Sequence, residues 1–371
     1  MFHFGSNLNP EKNNESNLSA NQDPADRKKN PRFGLAFQAS QSFDHYVKCA
    51  KLAKKYGFDM MQVYDDLLFK PSWPILFAMA PELRNTGIKL GPGVVNPYHM
   101  HPALIATHLG CLNEEMNGDS FLMIGKGAFH DLFEIETKSP LTATREAIEI
   151  IGNLVSGKSA EFDGKIFRSK SEARFRWNYS CLYPPQLWIG SWGPKMAELA
   201  GRMKQVSGIM VSSITDARYL SYIRERTRLG AMSVSRSPDE VEIGCVPGTI
   251  ISGNREVARE LARKASALYL PYLDPMTDYV GVKREDVESV REALSRNDLE
   301  AAANRVPDIA VDSFKLWGTP DDIIDKTIRM LDSGRGADRV NFGFGRGEDD
   351  IASIELLGEK VMPYLREKFG S

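Results

Sequence analysis

The chain has little of what builds metal clusters, disulfide frameworks or membrane spans. Its 371 residues include four cysteines, Cys49, Cys111, Cys181 and Cys245, and none stand in a CxxC pair. A thiolate zinc or iron–sulfur site is therefore not expected. His99, His101, His108 and His130 show no metal-ligand spacing with a carboxylate partner, so the expected metal content is none. Sparse, scattered cysteine fits reduced thiols and a cytoplasmic location. No apolar run approaches the roughly 20 residues of a membrane helix, which argues against a membrane partner. Charge of one sign is also missing. Lys and Arg number 47 against 49 Asp and Glu, a formal net charge of −2. No global field draws in nucleic acid. No nucleophile stands beside an evident base, so hydrolysis is not indicated. Residues 1–31 are rich in Asn, Ser, Lys and Asp and lack the apolar stretch of a secretory signal. They read as a flexible N-terminal extension ahead of a single domain over residues 32–371.

What is present is a repeating alternation. Short apolar runs predict strands over Arg32–Gln38, Met60–Tyr64, Ile88–Val95, Ser120–Gly125, Gln186–Gly190, Ser207–Met210, Val241–Val246 and Arg339–Phe344. Helical periodicity fills the gaps over Phe43–Tyr56, Pro102–Glu115, Thr142–Val155, Pro194–Met203, Ala217–Leu229 and Asn254–Leu268. Several strands are apolar on both faces, as buried parallel strands are. The simplest architecture is an α/β fold, a single eight-stranded TIM-type (β/α)8 barrel. Two stretches exceed a bare barrel and are expected as insertions after strands 4 and 7. Gly157–Pro185 contains Asp163-Gly164 between extended pieces and predicts a hairpin. Leu270–Thr319 carries helical patterns around Glu285–Leu294 and Ser313–Trp317.

In such a barrel the chemistry belongs at the C-terminal ends of the strands. The second strand ends in Tyr64-Asp65-Asp66, where one carboxylate suits a cofactor contact and the other proton transfer. A helix cap is the competing role for these acids. In the third strand, Gly91-Pro92-Gly93-Val94 suggests a bulge or a cis peptide, with Asn96 following. The fourth strand exits through Gly125-Lys126-Gly127, which brings backbone close to a ligand beside a cation, and then His130 and Asp131. The fifth exits through Ser191-Trp192-Gly193-Pro194-Lys195-Met196. There Pro194 opens a helix whose free amides, with Lys195, favour a phosphate, and Trp192 offers a flat face to an aromatic ring.

Together these junctions resemble the bacterial-luciferase-like superfamily, and within it the deazaflavin-dependent reductase branch that includes methylenetetrahydromethanopterin reductase. The stretches that carry the likeness are RFGLAFQ (32–38), VYDDLLFKPSWPIL (63–76), LGPGVVNPYHMHPALIA (90–106), FLMIGKGAF (121–129), WIGSWGPKMAELAGR (188–202) and GTPDDIIDKTIRML (318–331). The resemblance implies a barrel, a homodimer, a small-molecule substrate and coenzyme F420, with FMN as the alternative cofactor. By position it places Asp65 on the deazaflavin's polar groups and Gly93-Val94 behind its ring, with Asn96 in the same loop. Gly125, Lys126 and Gly127 lie beside the ring and side chain, and Gly193, Pro194, Lys195 and Met196 at the phosphate.

The chain also departs from the branch. Ala36 and Ala128 stand where relatives resemble one another in carrying acids, and the branch's Asp-His pair is here Asp65-Asp66. These departures argue against a methanopterin or glucose-6-phosphate substrate. They leave Asp66 as the leading candidate for proton transfer, with His130 and Asp131 behind it. The resemblance thus implies an F420-dependent oxidoreductase. The alternatives are a two-component monooxygenase using reduced FMN and a non-catalytic cofactor-binding member.

Overall fold

The computed structural model describes residues 30–180, 183–331, 336–345 and 349–370. The expected extension therefore lies outside the described residues, apart from Asn30 and Pro31. Cys181 and the side chain of Asp131 are outside them as well.

Among the described residues twelve strands form in chain order: β1 (Arg32–Phe37), β2 (Met60–Val63), β3 (Lys89–Val95), β4 (Phe121–Gly125), β5 (Phe162–Asp163), β6 (Arg168–Ser169), β7 (Gln186–Gly190), β8 (Val206–Ser212), β9 (Glu242–Val246), β10 (Gly248–Ile251), β11 (Lys315–Gly318) and β12 (Arg339–Phe344). Eight of them run parallel in the order β1-β2-β3-β4-β7-β8-β9-β12, and β12 pairs back onto β1 to close the barrel. These eight lie on the eight predicted strands. Period-two alternation sorts their side chains. Ala36, Met60, Phe121, Met123, Trp188, Met210 and Val246 fill the interior. Their neighbours Leu35, Phe37, Leu122, Ile124, Leu187 and Ile189 face the surrounding helices.

Local chemistry explains where the helices begin and end. Ser42 Oγ accepts the amide of His45 at the start of Phe43–Tyr56, and Gly57, at φ +66°, ends that helix. Pro102 and Pro194 occupy first-turn positions, where a missing N–H costs nothing.

Both insertions exist. In the first, β5 and β6 pair antiparallel around Gly164. Glu146, fully buried on the helix Pro140–Val155, accepts the amides of Lys165, Ile166 and Phe167 and so ties the hairpin down. A Cβ on Gly164 would lie 2.4 Å from Glu146 Oε2, which explains the glycine. In the second insertion the helix predicted near Glu285–Leu294 is present as Arg284–Ser295. The helix predicted over Ser313–Trp317 is not. A helix ends at Phe314, and Lys315–Gly318 is the strand β11, paired parallel to β10. Pairing with a distant strand overrides the short local pattern there. β10 continues the chain direction of β9 past Pro247, so the ninth strand is effectively two, split at a residue that cannot donate to a ladder.

Candidate functional site

At the base of the barrel, the first residues of three strands meet. Arg339 is 1% exposed and its Nε donates to Glu242 Oε1 at 2.9 Å. Arg32 pairs with the other oxygen of the same carboxylate. The Arg339 guanidinium also lies 5.9 Å from the Trp188 ring. This end is closed by ion pairs and an aromatic ring.

The opposite end is the mouth, where β1 hands over to Gln38 and β2 to Tyr64-Asp65-Asp66. The two acids divide the two roles open to them. Asp65 Oδ1 accepts the amide of Ser72 at 3.0 Å, at the start of the helix Ser72–Leu83. It therefore acts as a helix cap. Asp66 instead accepts from Gln38 Nε2 at 3.2 Å. Burial pushes the Asp66 carboxyl above the ordinary range. The Gln38 hydrogen bond pulls it down, and the charge of Asp65 adds to the rise. Such a carboxyl holds its proton to higher pH than an exposed one.

On β3 the Gly93–Val94 peptide is cis, and the register against β4 shifts between Gly93 and Val95. Gln62, buried inside the barrel, donates to Gly93 O at 2.7 Å. Val94 is thereby turned toward the exits of β4 and β7. A Cβ on Gly190 would fall 2.1 Å from Val94 Cγ1, and one on Gly125 would fall 2.5 Å from Gly190 O. These two glycines make room for Val94 and for each other. The close approach expected at Gly125 is thus made by the protein itself, by Gly190 O first and Val94 next. Gly127 has φ +79°, and a Cβ there would meet Asn96 Nδ2 at 2.7 Å.

Asn96 is 5% exposed and holds its loop closed. Its Oδ1 accepts the amides of Tyr98 and His99, and its Nδ2 lies 3.1 Å from His99 Nδ1. The His99 and His130 rings lie 4.5 Å apart, with Tyr98 edge-on to His130 at 6.0 Å. Burial pushes the His99 pKa down, against the nearby charge of Asp65, and favours neutral imidazole. Lys126 is exposed beside this cluster.

At the β7 exit, Trp192 is held at both ends. Its Nε1 donates to Ser212 Oγ at 3.0 Å, and its carbonyl accepts the Tyr219 hydroxyl at 2.6 Å. Gly193 is the N-cap of Pro194–Arg202, and no side chain caps that helix. A Cβ at Gly193 would meet nothing nearer than Ser191 Oγ at 3.7 Å, so the space before the helix is open. Lys195 is exposed on the first turn, and Met196 turns inward. An open, uncapped N-terminus with an adjacent cation suits an anion such as a phosphate.

The predicted residues thus fall around one mouth, with two refinements. Asp65 and Asn96 spend side-chain oxygens on backbone amides that shape their own loops and helix, while Asp66 is held by the Gln38 side chain alone among the described contacts. Sequence reasoning missed Gln38 and Gln62. The signal for Gln38 was a polar residue at the end of an apolar strand. Gln62 lay inside its strand with no such mark.

The positions of the two alanines are also clear. Ala36 is fully buried in the apolar interior, and Ala128 is exposed. Neither supplies an acid. A separate cavity of about 770 Å³ lies beyond β11, lined by Arg255, Arg259, Asp308, Asp312, Trp317 and Lys326 among others. Its charges are answered locally, Arg255 by Asp322 and Arg259 by Asp308.

Known proteins are similar to this chain along most of its length. A 5,10-methylenetetrahydromethanopterin reductase of Archaeoglobus fulgidus is 30% identical over 342 residues, spanning 90% of this chain and 100% of the relative. An F420-dependent glucose-6-phosphate dehydrogenase of Nakamurella multipartita is 25% identical over 357 residues, spanning 91% and 98%. The solved coenzyme F420-dependent tetrahydromethanopterin reductase of Methanopyrus kandleri has the same fold, with a TM-score of 0.82 at 23% identity over 91% of this chain and 100% of that one. The model of the luciferase-like monooxygenase family matches residues 21–335. With a closed parallel barrel, a bulged third strand and relatives aligned from end to end, the chain belongs to the luciferase-like monooxygenase family.

Proposed function

We propose that this chain is an oxidoreductase that moves a hydride between coenzyme F420 and a small organic substrate at the barrel mouth. The observation that carries the reading is the end-to-end match to a reductase at 30% identity, alongside a relative named for its dependence on F420. The mouth fits such a cofactor. The open, uncapped N-terminus at Gly193-Pro194, with Lys195 and Met196, would hold its phosphate, and Trp192 would border it. Val94 on the Gly93 bulge would back the ring with Asn96 in the same loop, Gly125, Lys126 and Gly127 would lie alongside, and Asp65 would stand at its polar edge. When bound, the deazaflavin supplies the hydride.

The residues of the chain do the rest. Asp66, whose carboxyl burial shifts above the ordinary range and which Gln38 orients, gives or takes the substrate's proton. His130 lines the same mouth against Tyr98 and His99, with Asp131 next in the chain. Residues 32–371 act as one working unit.

Among the described residues no helix is long and apolar enough to cross a membrane. We place the enzyme in the cytoplasm as a homodimer, with exposed Leu104, Leu132 and Phe133 giving an interface apolar surface to bury. A binding titration decides the cofactor. F420 binding in preference to FMN supports the proposal, and tight FMN with no measurable F420 binding would sink it. Analytical ultracentrifugation checks the dimer.

A further inference from the structure

Away from the mouth, three groups of metal-ligating type meet between the first and last helices of the barrel. His45 and Cys49 are one turn apart on Phe43–Tyr56, so both project from one face. Facing them is Asp350, the first residue of the helix Asp350–Leu356. One ligand atom from each lies within 4.8 Å of the others. His45 Nε2 stands 2.8 Å from Asp350 Oδ2.

Cys49 is fully buried, and Asp350 is 3% exposed. The second oxygen of that carboxylate, Oδ1, is buried and has no hydrogen-bond partner among the described residues. A buried carboxylate with an idle oxygen beside a buried thiol is costly unless something positive answers it. The His45 side chain, at 18% exposure, leaves a path to solvent.

We propose that His45, Cys49 and Asp350 form a binding site for a divalent metal of the zinc class. An imidazole nitrogen, a thiolate and a carboxylate are the donors such a metal takes, and solvent would fill a fourth position. Binding releases the Cys49 proton to water and makes the metal–sulfur bond. One dication is then balanced by one thiolate and one carboxylate, leaving the buried site neutral. Tetrahedral bonds of about 2.0–2.3 Å set ligand atoms roughly 3.3–3.8 Å apart, so the His45–Asp350 contact opens by about half an ångström.

The site clamps the first helix to the last, across the seam where β12 meets β1. It also adjoins Tyr46, whose hydroxyl donates to Gln38 O at 2.7 Å. The metal would therefore act as a brace for the first strand's exit, not as a reacting centre.

The test uses the full-length protein, stripped with a chelator and titrated with Zn²⁺ and Co²⁺. The expected result is about one Zn²⁺ per chain and a higher melting temperature on its addition. Co²⁺ should give a thiolate-to-metal charge-transfer band. Cys49→Ser, which keeps the shape, should abolish that band and weaken Zn²⁺ binding at least about 100-fold. His45→Ala should weaken binding similarly. If either variant fails to fold, the wild-type Co²⁺ spectrum decides, since a thiolate band requires a cysteine ligand and the other cysteines can be replaced one at a time. No stoichiometric binding by wild-type protein, or a band that survives Cys49→Ser, would overturn the proposal and leave a His45–Asp350 ion pair only.

Discussion

The two ends of the barrel are built by opposite rules. At the base, Glu242 is shared by Arg32 and Arg339, and the lone carboxylate is held between two cations. At the mouth, the charged and hydrogen-bonding neighbours of Asp66 among the described residues are the amide of Gln38 and the negative Asp65. At the base opposite charges meet directly, with Arg339 and Glu242 buried and Arg32 part-exposed. The mouth keeps a carboxyl whose protonation is shifted toward neutrality. The difference teaches where stability and chemistry separate in this fold: paired charge at the N-terminal ends of the strands, unbalanced and titratable charge at the C-terminal ends.

The sharpest way to break that contrast is Asp66→Asn. Turnover should fall by about 10²–10⁴ if Asp66 transfers a proton, with cofactor affinity little changed. Steady-state kinetics beside an F420 titration measure both, and unaltered turnover would remove Asp66 from the chemistry. Glu242→Ala should do the reverse. It strands a buried arginine and should cost on the order of 3–5 kcal/mol of stability, while the folded fraction still binds cofactor normally. Denaturant unfolding checks this, and a loss below about 1 kcal/mol would mean the base is not held by its ion pairs.

Glu146→Gln tests a third arrangement, a buried carboxylate satisfied by backbone amides. It should cost about 2–3 kcal/mol and loosen the Phe162–Ser169 hairpin to hydrogen exchange.

The smallest effects are the pH dependences, which run in opposite directions. Burial pushes Glu146 up, but the hairpin amides and Arg145 outweigh it, so its folded pKa is lowered from 4.5. Its stabilisation is present above that unfolded value and is lost as pH falls through the lowered folded value. The folded pKa of Asp66 is raised from 3.8. Its stabilisation is complete below 3.8 and is lost as pH rises through the raised folded value. Turnover that needs its proton should decline in the same direction. The stability difference between wild type and Asp66→Asn, followed against pH, should therefore grow with rising pH, and a flat difference would contradict the assigned shift.

Much of the barrel was legible because its signals are local. Alternation in β1 separates Ala36 from Leu35 and Phe37, and Ser42, Gly57, Pro102 and Pro194 punctuate the helices through their own backbone chemistry. The Gly93-Val94 irregularity was visible as glycine and proline inside a strand. The pair β10 and β11 was not legible, because Lys315–Gly318 becomes a strand only by meeting Gly248–Ile251. For the same reason sequence spacing did not bring His45, Cys49 and Asp350 together. His45 and Cys49 make a spacing motif only with a carboxylate 305 residues from His45.

The sequence by itself determined the order of strands and helices, the caps that bound them and the set of residues at the strand ends, since each of these depends on neighbours within a few positions. The tertiary structure alone decided what those residues do with their atoms. It turned Asp65 onto Ser72 and left Asp66 to Gln38. It filled the space above Gly125 and Gly190 with Val94, and it brought Asp350 against His45 and Cys49. The physical reason is that hydrogen bonding and close packing are settled by which surfaces meet, and in a closed barrel each strand meets neighbours far away in the chain.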